Sequence, residues 1–310
     1  MNTIFFDAPF DDDARRRALY EGQLFVYPPS PSSAALCAFA REMIQDAFGS
    51  LDPLKAQYSM PVKKYVEILA QLKPKFIHHP KSKQLIPGIL KEFGCDLSKT
   101  YFDVPRLRTA TSDGYLTNGI AYAFHPHRDT WYSAPFCQLN WWLPVYEIQS
   151  ENSLAFHPRY WVQPLQNGSR RYNYYEWIRE NRQNAANYIN EDPRDQPRAE
   201  VPVEIEPQTR IVCEVGGIIL FSASQLHSTV PNTAGRARFS IDFRTVHLDD
   251  VIAKRGAPNI DSSCTGTTLG DFLQGANLSH VPEALIDLYN KLGAGAFCEQ
   301  SGFLEASSKV

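Results

Sequence analysis

The sequence predicts a mostly β fold with flanking helices. Between Tyr101 and Val246, short segments rich in Val, Ile, Phe, Tyr and Trp recur, separated by Gly, Pro or Asn. The first hundred residues and a region over about 268–292 instead carry apolar residues at helical spacing. Many short strands in one region indicate a sandwich or barrel, a class that includes the cupin-like jelly rolls. No linker-like run separates the parts, so we expect a single domain over residues 1–310 in which helices buttress a barrel.

The elements of the N-terminal part follow in order. Residues 11–20 begin with acidic side chains and predict a short helix, and the apolar residues 23–27 predict a strand that a Pro-Pro pair ends. Ser32 or Ser33 can cap a helix that runs to about Phe48. Residues 61–72 and 82–93 also have a helical pattern. Residues 1–100 are therefore expected to form a mainly helical support.

The region 101–246 is expected to form the jelly-roll core. Its predicted strands cover residues 106–111, 119–124, 136–145, 210–215, 217–222 and 236–246. The polar segment 166–202 breaks this pattern and has a helical stretch over 174–190, so we interpret it as an insertion between strands, with the position of a lid. Residues 247–310 are expected to form a C-terminal helical region, with a frayed tail after Phe303.

Composition excludes several classes of protein. The chain has 43% hydrophobic and 21% charged residues, an ordinary soluble mixture, and its net charge of −3 favours neither nucleic acid nor an anionic membrane as partner. No run approaches the ~20 apolar residues of a membrane span, and the N-terminus does not resemble a secretory signal. The 6 scattered cysteines, without a Cys-x-x-Cys pair, argue against a structural zinc site and a disulfide framework. We therefore expect a cytoplasmic protein without a nucleic-acid or membrane partner, with its oligomeric state left open.

Two histidines and one aspartate form a candidate metal site. His127 and Asp129 lie two residues apart, and in a strand both side chains would point to one face while Arg128 points away. His227 follows a strand that reads as buried. Two histidines and one carboxylate can hold one face of an iron atom and leave the other face open. Each motif alone has a simpler interpretation, a surface His–Asp pair for the first and a core histidine for His227.

The last predicted strand carries a candidate carboxylate clamp. Arg238 and Ser240 share one face of this strand, and Arg238 offers a fixed fork of donors for a carboxylate. Arg236 and Arg244 lie on the same face and are interpreted as solvent-exposed. A buried arginine needs an anionic partner.

The order His-x-Asp, roughly a hundred residues, His, then Arg-x-Ser resembles the non-haem Fe(II)- and 2-oxoglutarate-dependent oxygenases, most closely the phytanoyl-CoA-dioxygenase-like branch. The resemblance covers about residues 101–246 and implies a double-stranded β-helix, the cupin-like jelly roll. It departs from the family at Ser153, where glycine is usual. It implies oxidation of a small-molecule C–H bond with O2, commonly a hydroxylation, with release of succinate and CO2. Desaturation, ring closure and epoxidation use the same ligands.

The resemblance also implies roles for individual residues. Fe(II) would be held by His127, Asp129 and His227, and 2-oxoglutarate would chelate the iron. The far carboxylate of 2-oxoglutarate would bind Arg238 and Ser240, helped by Thr229, beside a tryptophan for which Trp142 is a better match than Trp141. His125 is interpreted as a partner that orients a ligand.

Other functions explain the sequence less well. A zinc hydrolase would use three protein ligands, but no general base is recognisable and the Arg-x-Ser pair would be unexplained. A serine hydrolase would need a Gly-x-Ser-x-Gly elbow, which the sequence lacks. Asp129 disfavours a halogenase, whose halide takes the carboxylate position. A cupin-like metal-binding protein without 2-oxoglutarate turnover remains the alternative. Trp131 and Tyr132 are candidates to face substrate or to lie in the core, and the Arg- and Tyr-rich insertion suits either an anionic metabolite or a solvated helix face.

Overall fold

The structure, a computed structural model, describes residues 3–121, 125–180, 188–189, 192 and 194–292. Residues 122–124 of one predicted strand, most of the predicted insertion helix after residue 180, and the tail beyond 292 lie outside the described residues.

Seven helices occur in the described part of the chain. They are α1 (Asp12–Tyr20), α2 (Pro31–Phe48), α3 (Val62–His78), α4 (Pro80–Glu92), α5 (Tyr174–Glu180), α6 (Leu248–Ala253) and α7 (Glu283–Leu292). Local chemistry sets where they begin. The Asp11 carboxylate accepts from the backbone of Ala14 to cap α1, and Ser30 caps α2 with Pro31 in the first turn. The cap of α2 is thus Ser30, not Ser32 or Ser33 as predicted.

The strands form two sheets. Their bounds are β1 (Ile4–Phe6), β2 (Leu24–Tyr27), β3 (Thr100–Phe102), β4 (Arg106–Ala110), β5 (Leu139–Pro144), β6 (Leu154–Phe156), β7 (Thr209–Ile211), β8 (Ile218–Ser222), β9 (His227–Thr229), β10 (Arg238–His247) and β11 (Leu273–Gln274). The large sheet has the order β1-β2-β8-β5-β10-β3-β11, with β4 also pairing with β10, and the small sheet has the order β7-β6-β9. Neighbours far apart in sequence, such as β5 and β10, are antiparallel, as in a jelly roll.

The long strand β10 shows how the two faces of the large sheet differ. Phe239, Ile241 and Phe243 point outward and are fully buried in one core with apolar residues of α2, α3 and α4. Arg238, Asp242 and Arg244 of the same strand lie on the opposite face and line the cavity between the sheets. The N-terminal helices thus cover the outer face, and the inner face is left for polar chemistry.

A smaller apolar cluster joins the two sheets on their inner faces. It includes Trp142 of β5, Phe221 of β8, and Leu154 and Phe156 of β6. The predicted β-rich fold with flanking helices is therefore confirmed. Within the part of the chain that the structure describes, no helix is long and apolar enough to cross a membrane.

Some predicted elements are wrong. Residues 119–121 form a turn of 3₁₀ helix instead of the predicted strand. In the described part of the predicted C-terminal helical region, two segments are α-helical, Leu248–Ala253 and Glu283–Leu292, and a 3₁₀ turn and β11 lie between them. Strand β1, which pairs in parallel with β2 and extends the large sheet, was not predicted from the sequence.

A candidate metal centre between the two sheets

The two histidines of the predicted site are neighbours across a β-bridge. The amide of His127 donates to the carbonyl of His227, and the amide of His227 donates back, both at 3.0 Å. The ring centroids of the two side chains are 4.4 Å apart. Both rings are therefore fixed on the same wall by main-chain pairing, and both are buried.

Asp129 joins them from a turn. It begins a 3₁₀ turn, Asp129–Tyr132, so the expectation that it lies in a strand with His127 is wrong. Its Oδ1 nevertheless lies 3.4 Å from Nε2 of His127. One ligand atom from each of His127, Asp129 and His227 lies within 4.8 Å of the others, which is close enough for one metal ion to contact all three.

Backbone carbonyls fix which nitrogen of each histidine faces the centre. Nδ1 of His127 lies 2.8 Å from the carbonyl of His125, and Nδ1 of His227 lies 3.0 Å from the carbonyl of Gln225. A carbonyl only accepts, so each Nδ1 donates and each Nε2 presents its lone pair to the metal. Burial and the neighbouring His127 lower the pKa of His227 to about 4, which keeps it neutral. His125 orients the ligand through its main chain.

The two oxygens of Asp129 have different partners. Oδ2 accepts hydrogen bonds from Asn140 at 2.8 Å and from Gln138 at 3.3 Å, and lies 3.5 Å from Nε of Arg244. Oδ1 faces His127. Burial alone would raise the pKa of Asp129, but the side chain of His127 and the charge of Arg244 hold that pKa well below its usual range. Asp129 is therefore an ionised donor with one oxygen held and one directed at the centre.

This donor set fits Fe(II). Two imidazole nitrogens and one carboxylate oxygen on one side of a cavity form the facial arrangement of non-haem iron sites, which leaves positions open for a cosubstrate. The cavity beside the three residues has a volume of about 380 Å³, within the range of small-molecule sites.

Arg238 is a buried cation that lines the same cavity. Its Nη1 donates to the carbonyls of Asn152 and Ser153 at 3.2 and 3.3 Å, and its guanidinium carbon lies 5.5 Å from the ring centre of Trp142. Among the described residues no carboxylate pairs with it, and its Nε is buried without a hydrogen-bond partner. Burial lowers the pKa of Arg238 to about 10. A buried guanidinium in this situation fits an anionic ligand.

The other predicted cosubstrate residues are only partly brought together. Thr229 and Trp142 line the cavity with Arg238. Trp141 lies in the outer core, stacked on Phe243. Ser240 does not line the cavity. It is fully buried, and its hydroxyl has no hydrogen-bond partner.

Arg244 corrects the interpretation of the last strand. We expected it on a solvent face, but it lines the cavity and pairs with Asp103 at 3.1 Å as well as approaching Asp129. The part of the cavity wall formed by Lys73, Asp103, Arg106 and Arg108 was also not predicted from the sequence. The alternation of β10 was a signal for Arg244, because it shares a face with Arg238, but Lys73 and Asp103 carry no local signal.

The two aromatic residues of the 3₁₀ turn that begins at Asp129, Trp131 and Tyr132, have separate roles. Trp131 is fully buried and donates from Nε1 to Asp261 at 2.6 Å, so it belongs to the core. Tyr132 lines the cavity. Arg128, which lies between the two ligands, points away as predicted and pairs with Asp261 at 3.1 Å while it donates to the carbonyl of Ser224. The ligand turn is therefore anchored from behind.

The insertion supplies part of the cavity wall. Tyr172, Tyr174, Trp177 and Gln196 line the cavity from the described part of segment 166–202. The segment is tied together by exposed ion pairs, since Glu200 binds both Arg170 at 2.8 Å and Arg171 at 2.6 Å. These arginines therefore brace the insertion and do not line the cavity.

Comparisons with known proteins give distant structural likenesses. No family model and no curated protein matches the chain. Among solved structures, EvdO2 from Micromonospora carbonacea var. aurantiaca is 14% identical with a TM-score of 0.43, over 77% of this chain and 92% of that chain. AviO1 from Streptomyces viridochromogenes Tue57 is 12% identical with a TM-score of 0.37, over 77% of this chain and 96% of that chain.

A third solved structure is described as SnoN, a non-heme alpha ketoglutarate dependent epimerase from nogalamycin biosynthesis. In complex with Fe3+, alpha ketoglutarate and nogalamycin RO, it is 12% identical with a TM-score of 0.38, over 76% of this chain and 85% of that chain. Its description names the same cosubstrate as the resemblance does, and none of the three is described as a phytanoyl-CoA dioxygenase. Because these identities and TM-scores are low, the function has to be inferred from the residues of this chain's own site.

Proposed function

We propose that this chain is an Fe(II)- and 2-oxoglutarate-dependent oxygenase that oxidises a C–H bond of a small molecule, with hydroxylation as the outcome. One observation carries the proposal. A facial set of three candidate metal donors shares one cavity with a buried arginine to which the described residues offer no carboxylate partner. Neither a zinc hydrolase nor a simple metal-binding protein accounts for the arginine.

Each residue has a defined task in this proposal. His127, Asp129 and His227 would hold Fe(II), and Arg238 would bind the far carboxylate of 2-oxoglutarate, with Thr229 and Trp142 beside it. When bound, Fe(II) and 2-oxoglutarate supply the oxidation with O2, in which one oxygen atom enters the substrate and the other enters succinate as CO2 leaves. The protein positions the C–H bond and excludes water, for which the aromatic residues of the insertion are suited.

The first prediction tests the metal ligands. His127→Ala, Asp129→Ala and His227→Ala should each abolish retention of Fe(II) and succinate release, because two remaining donors hold a labile ion poorly. Binding is measured anaerobically by the charge-transfer absorption that forms when a 2-oxo acid chelates Fe(II), and turnover by succinate release. His157→Ala is a matched control, since His157 is buried nearby and hydrogen-bonds Ser228 but does not line the cavity.

The outcomes separate the candidate functions. Loss of the absorption in the three ligand variants, with retention in His157→Ala, supports the oxygenase. If the wild type binds iron but 2-oxoglutarate does not chelate it, the result would favour the alternative function, a cupin-like metal-binding protein without 2-oxoglutarate turnover. Normal turnover by a folded His227→Ala protein would overturn the ligand assignment.

A further inference from the structure

The cavity carries more positive charge than the proposed cofactors need. Among the described residues that line it, the cations are Lys73, Arg106, Arg108, Arg238 and Arg244, and the carboxylates are Asp103, Asp129, Asp242 and Asp271. A doubly charged metal ion and a doubly charged 2-oxoglutarate cancel one another. One positive charge therefore remains once both are bound.

The ion pairs show where that charge lies. Arg106 and Arg244 pair with Asp103, and Arg108 pairs through two nitrogens with Asp242. Arg238 is assigned to the cosubstrate. Lys73 is left, because the described residues provide it with no carboxylate partner, and its amine donates only to the carbonyl of Ile120.

The fold holds the Lys73 amine at the cavity. Lys73 lies in α3, which packs on β4 and on the 3₁₀ turn at residues 119–121, so its side chain is half-buried beside Arg108. Burial and the charge of Arg108 lower the pKa of Lys73 to about 7, although Asp242 acts in the opposite direction. In its protonated form, which predominates below about pH 7, the Lys73 amine has three protons to donate, and the Ile120 carbonyl takes one. Two donors remain for a ligand.

We propose that Lys73 binds an acidic group of the substrate, a carboxylate or a phosphate, and that the substrate of this oxygenase is an organic anion. The inference rests on the proposed function, since it describes the substrate end of the same cavity. The aromatic residues Tyr132, Tyr172 and Trp177 form a tilted or edge-to-face series on the cavity wall. Such a wall accommodates an apolar or planar body of a ligand in the same cavity.

The test uses simple probes on the holoprotein. Protein is loaded with Zn(II) in place of iron and with saturating 2-oxoglutarate, so that Arg238 is occupied. Calorimetry then gives dissociation constants for benzoate and phenyl phosphate, and for the neutral analogues benzamide and benzyl alcohol. The wild type should bind the better anion at least roughly tenfold more tightly than its neutral analogue, the effect of one charge-assisted hydrogen bond. The two anions distinguish a carboxylate from a phosphate site.

Three variants identify the residue responsible. Lys73→Met should remove the preference for the anion, and Lys73→Arg should retain most of it. Lys75→Met on the same helix is the matched control, because Lys75 is exposed and does not line the cavity. All three should still bind Zn(II) and 2-oxoglutarate, which shows that they fold and keep the metal centre.

Several results would reject the proposal. They are an unchanged preference in Lys73→Met, equal binding of anions and neutral analogues by the wild type, and no binding of either anion at millimolar concentration. Failure of the wild type to bind 2-oxoglutarate would instead reject the proposed function, and the two failures are thereby distinguishable.

Discussion

At the scale of single residues, Arg238 is a buried cation of the candidate site that pairs with no carboxylate among the described residues. A guanidinium out of water is stable only when its donors are used, and here two carbonyls accept from one nitrogen while Trp142 covers its face. The remaining donors have the planar fork that a carboxylate matches with two hydrogen bonds. Lysine replaces the charge of this group but not its fork.

Arg238→Ala should therefore raise the dissociation constant for 2-oxoglutarate by two orders of magnitude or more, since breaking a buried charged pair costs roughly 3–5 kcal/mol. Arg238→Lys should raise it by a smaller factor, and Fe(II) binding should stay unchanged in both. Anaerobic titration of 2-oxoglutarate into the Fe(II) protein measures each effect.

Arg236→Lys is the control for this prediction, because Arg236 lies in the same segment but does not line the cavity. Arg244 is unsuitable as a control, since it contacts Asp129. Equal losses in Arg236→Lys and Arg238→Lys would show that the change acts on the strand and not on the cosubstrate.

Residue types in the sequence predicted the three residues of the candidate metal site but not the side chains that support them. His127, Asp129 and His227 are visible because few functions explain this combination at this spacing. Asn140 and Arg244 both contact Oδ2 of Asp129, and they lie on β5 and β10, two strands that are distant from each other in sequence. Their roles depend on the pairing of β5 with β10, in which Arg244 lies opposite Asn140. Such a contact between distant segments has no local pattern.

At the scale of elements, long periodic segments were predicted well and short ones were not. The helices α1 to α4 and the strands β4, β5, β8 and β10 were all expected close to where they lie. The small sheet consists of strands of 3 residues each, too short to show an alternation. Residues 119–121 are apolar enough to suggest a strand, but tertiary contacts with α3 place them in a turn.

The insertion 166–202 is an element whose stability should depend on ligand. Tyr172, Tyr174 and Trp177 of this segment line the cavity, so a bound metal, 2-oxoglutarate and an anionic probe should slow tryptic cleavage within it. Glu200→Gln should speed cleavage in the ligand-free protein, because Arg170 and Arg171 lose their shared partner. The cleavage rate is followed by mass spectrometry.

Glu204→Gln serves as the comparison, since Glu204 pairs with Arg159 outside the insertion and is also exposed. The same cleavage rate with and without ligands would reduce the segment to a surface insertion.

At the scale of the whole molecule, the two ends of the described chain are tied together through Asp250 of α6. Its fully buried carboxylate accepts from Arg16 and Tyr20 of α1 at 2.8 Å each, and from Arg255 at 2.6 Å. The N-terminal strands β1 and β2 also join the large sheet beside β8. These links support the expectation that residues 1–310 act as one domain.

Asp250→Ala should lower the free energy of unfolding by about 1.5–3 kcal/mol, because Arg16 and Tyr20 lose a buried acceptor, while Asp13 still pairs with Arg16 and Arg255. Asp249→Ala, one residue earlier, removes an exposed pair with Lys99 and should cost about 1 kcal/mol or less. Urea denaturation followed by fluorescence measures both. Similar small losses in the two variants would show that the buried network contributes little and that the ends of the chain are held by apolar packing alone.

The reciprocal amide bonds between His127 and His227 have a consequence for how the proposed oxygenase can diversify. Two of the three metal donors are positioned by main-chain pairing, which does not depend on side chains elsewhere in the cavity. Most of the aromatic wall, in contrast, comes from one segment, 166–202, which supplies Tyr172 and Trp177, while Tyr132 lies in the turn that begins at Asp129. New substrate preferences can thus be acquired by exchanging or mutating that segment, without intermediates that lose the metal. A directed-evolution library aimed at new substrates belongs in that segment and at Lys73, with residues 127–129 and 227 held constant.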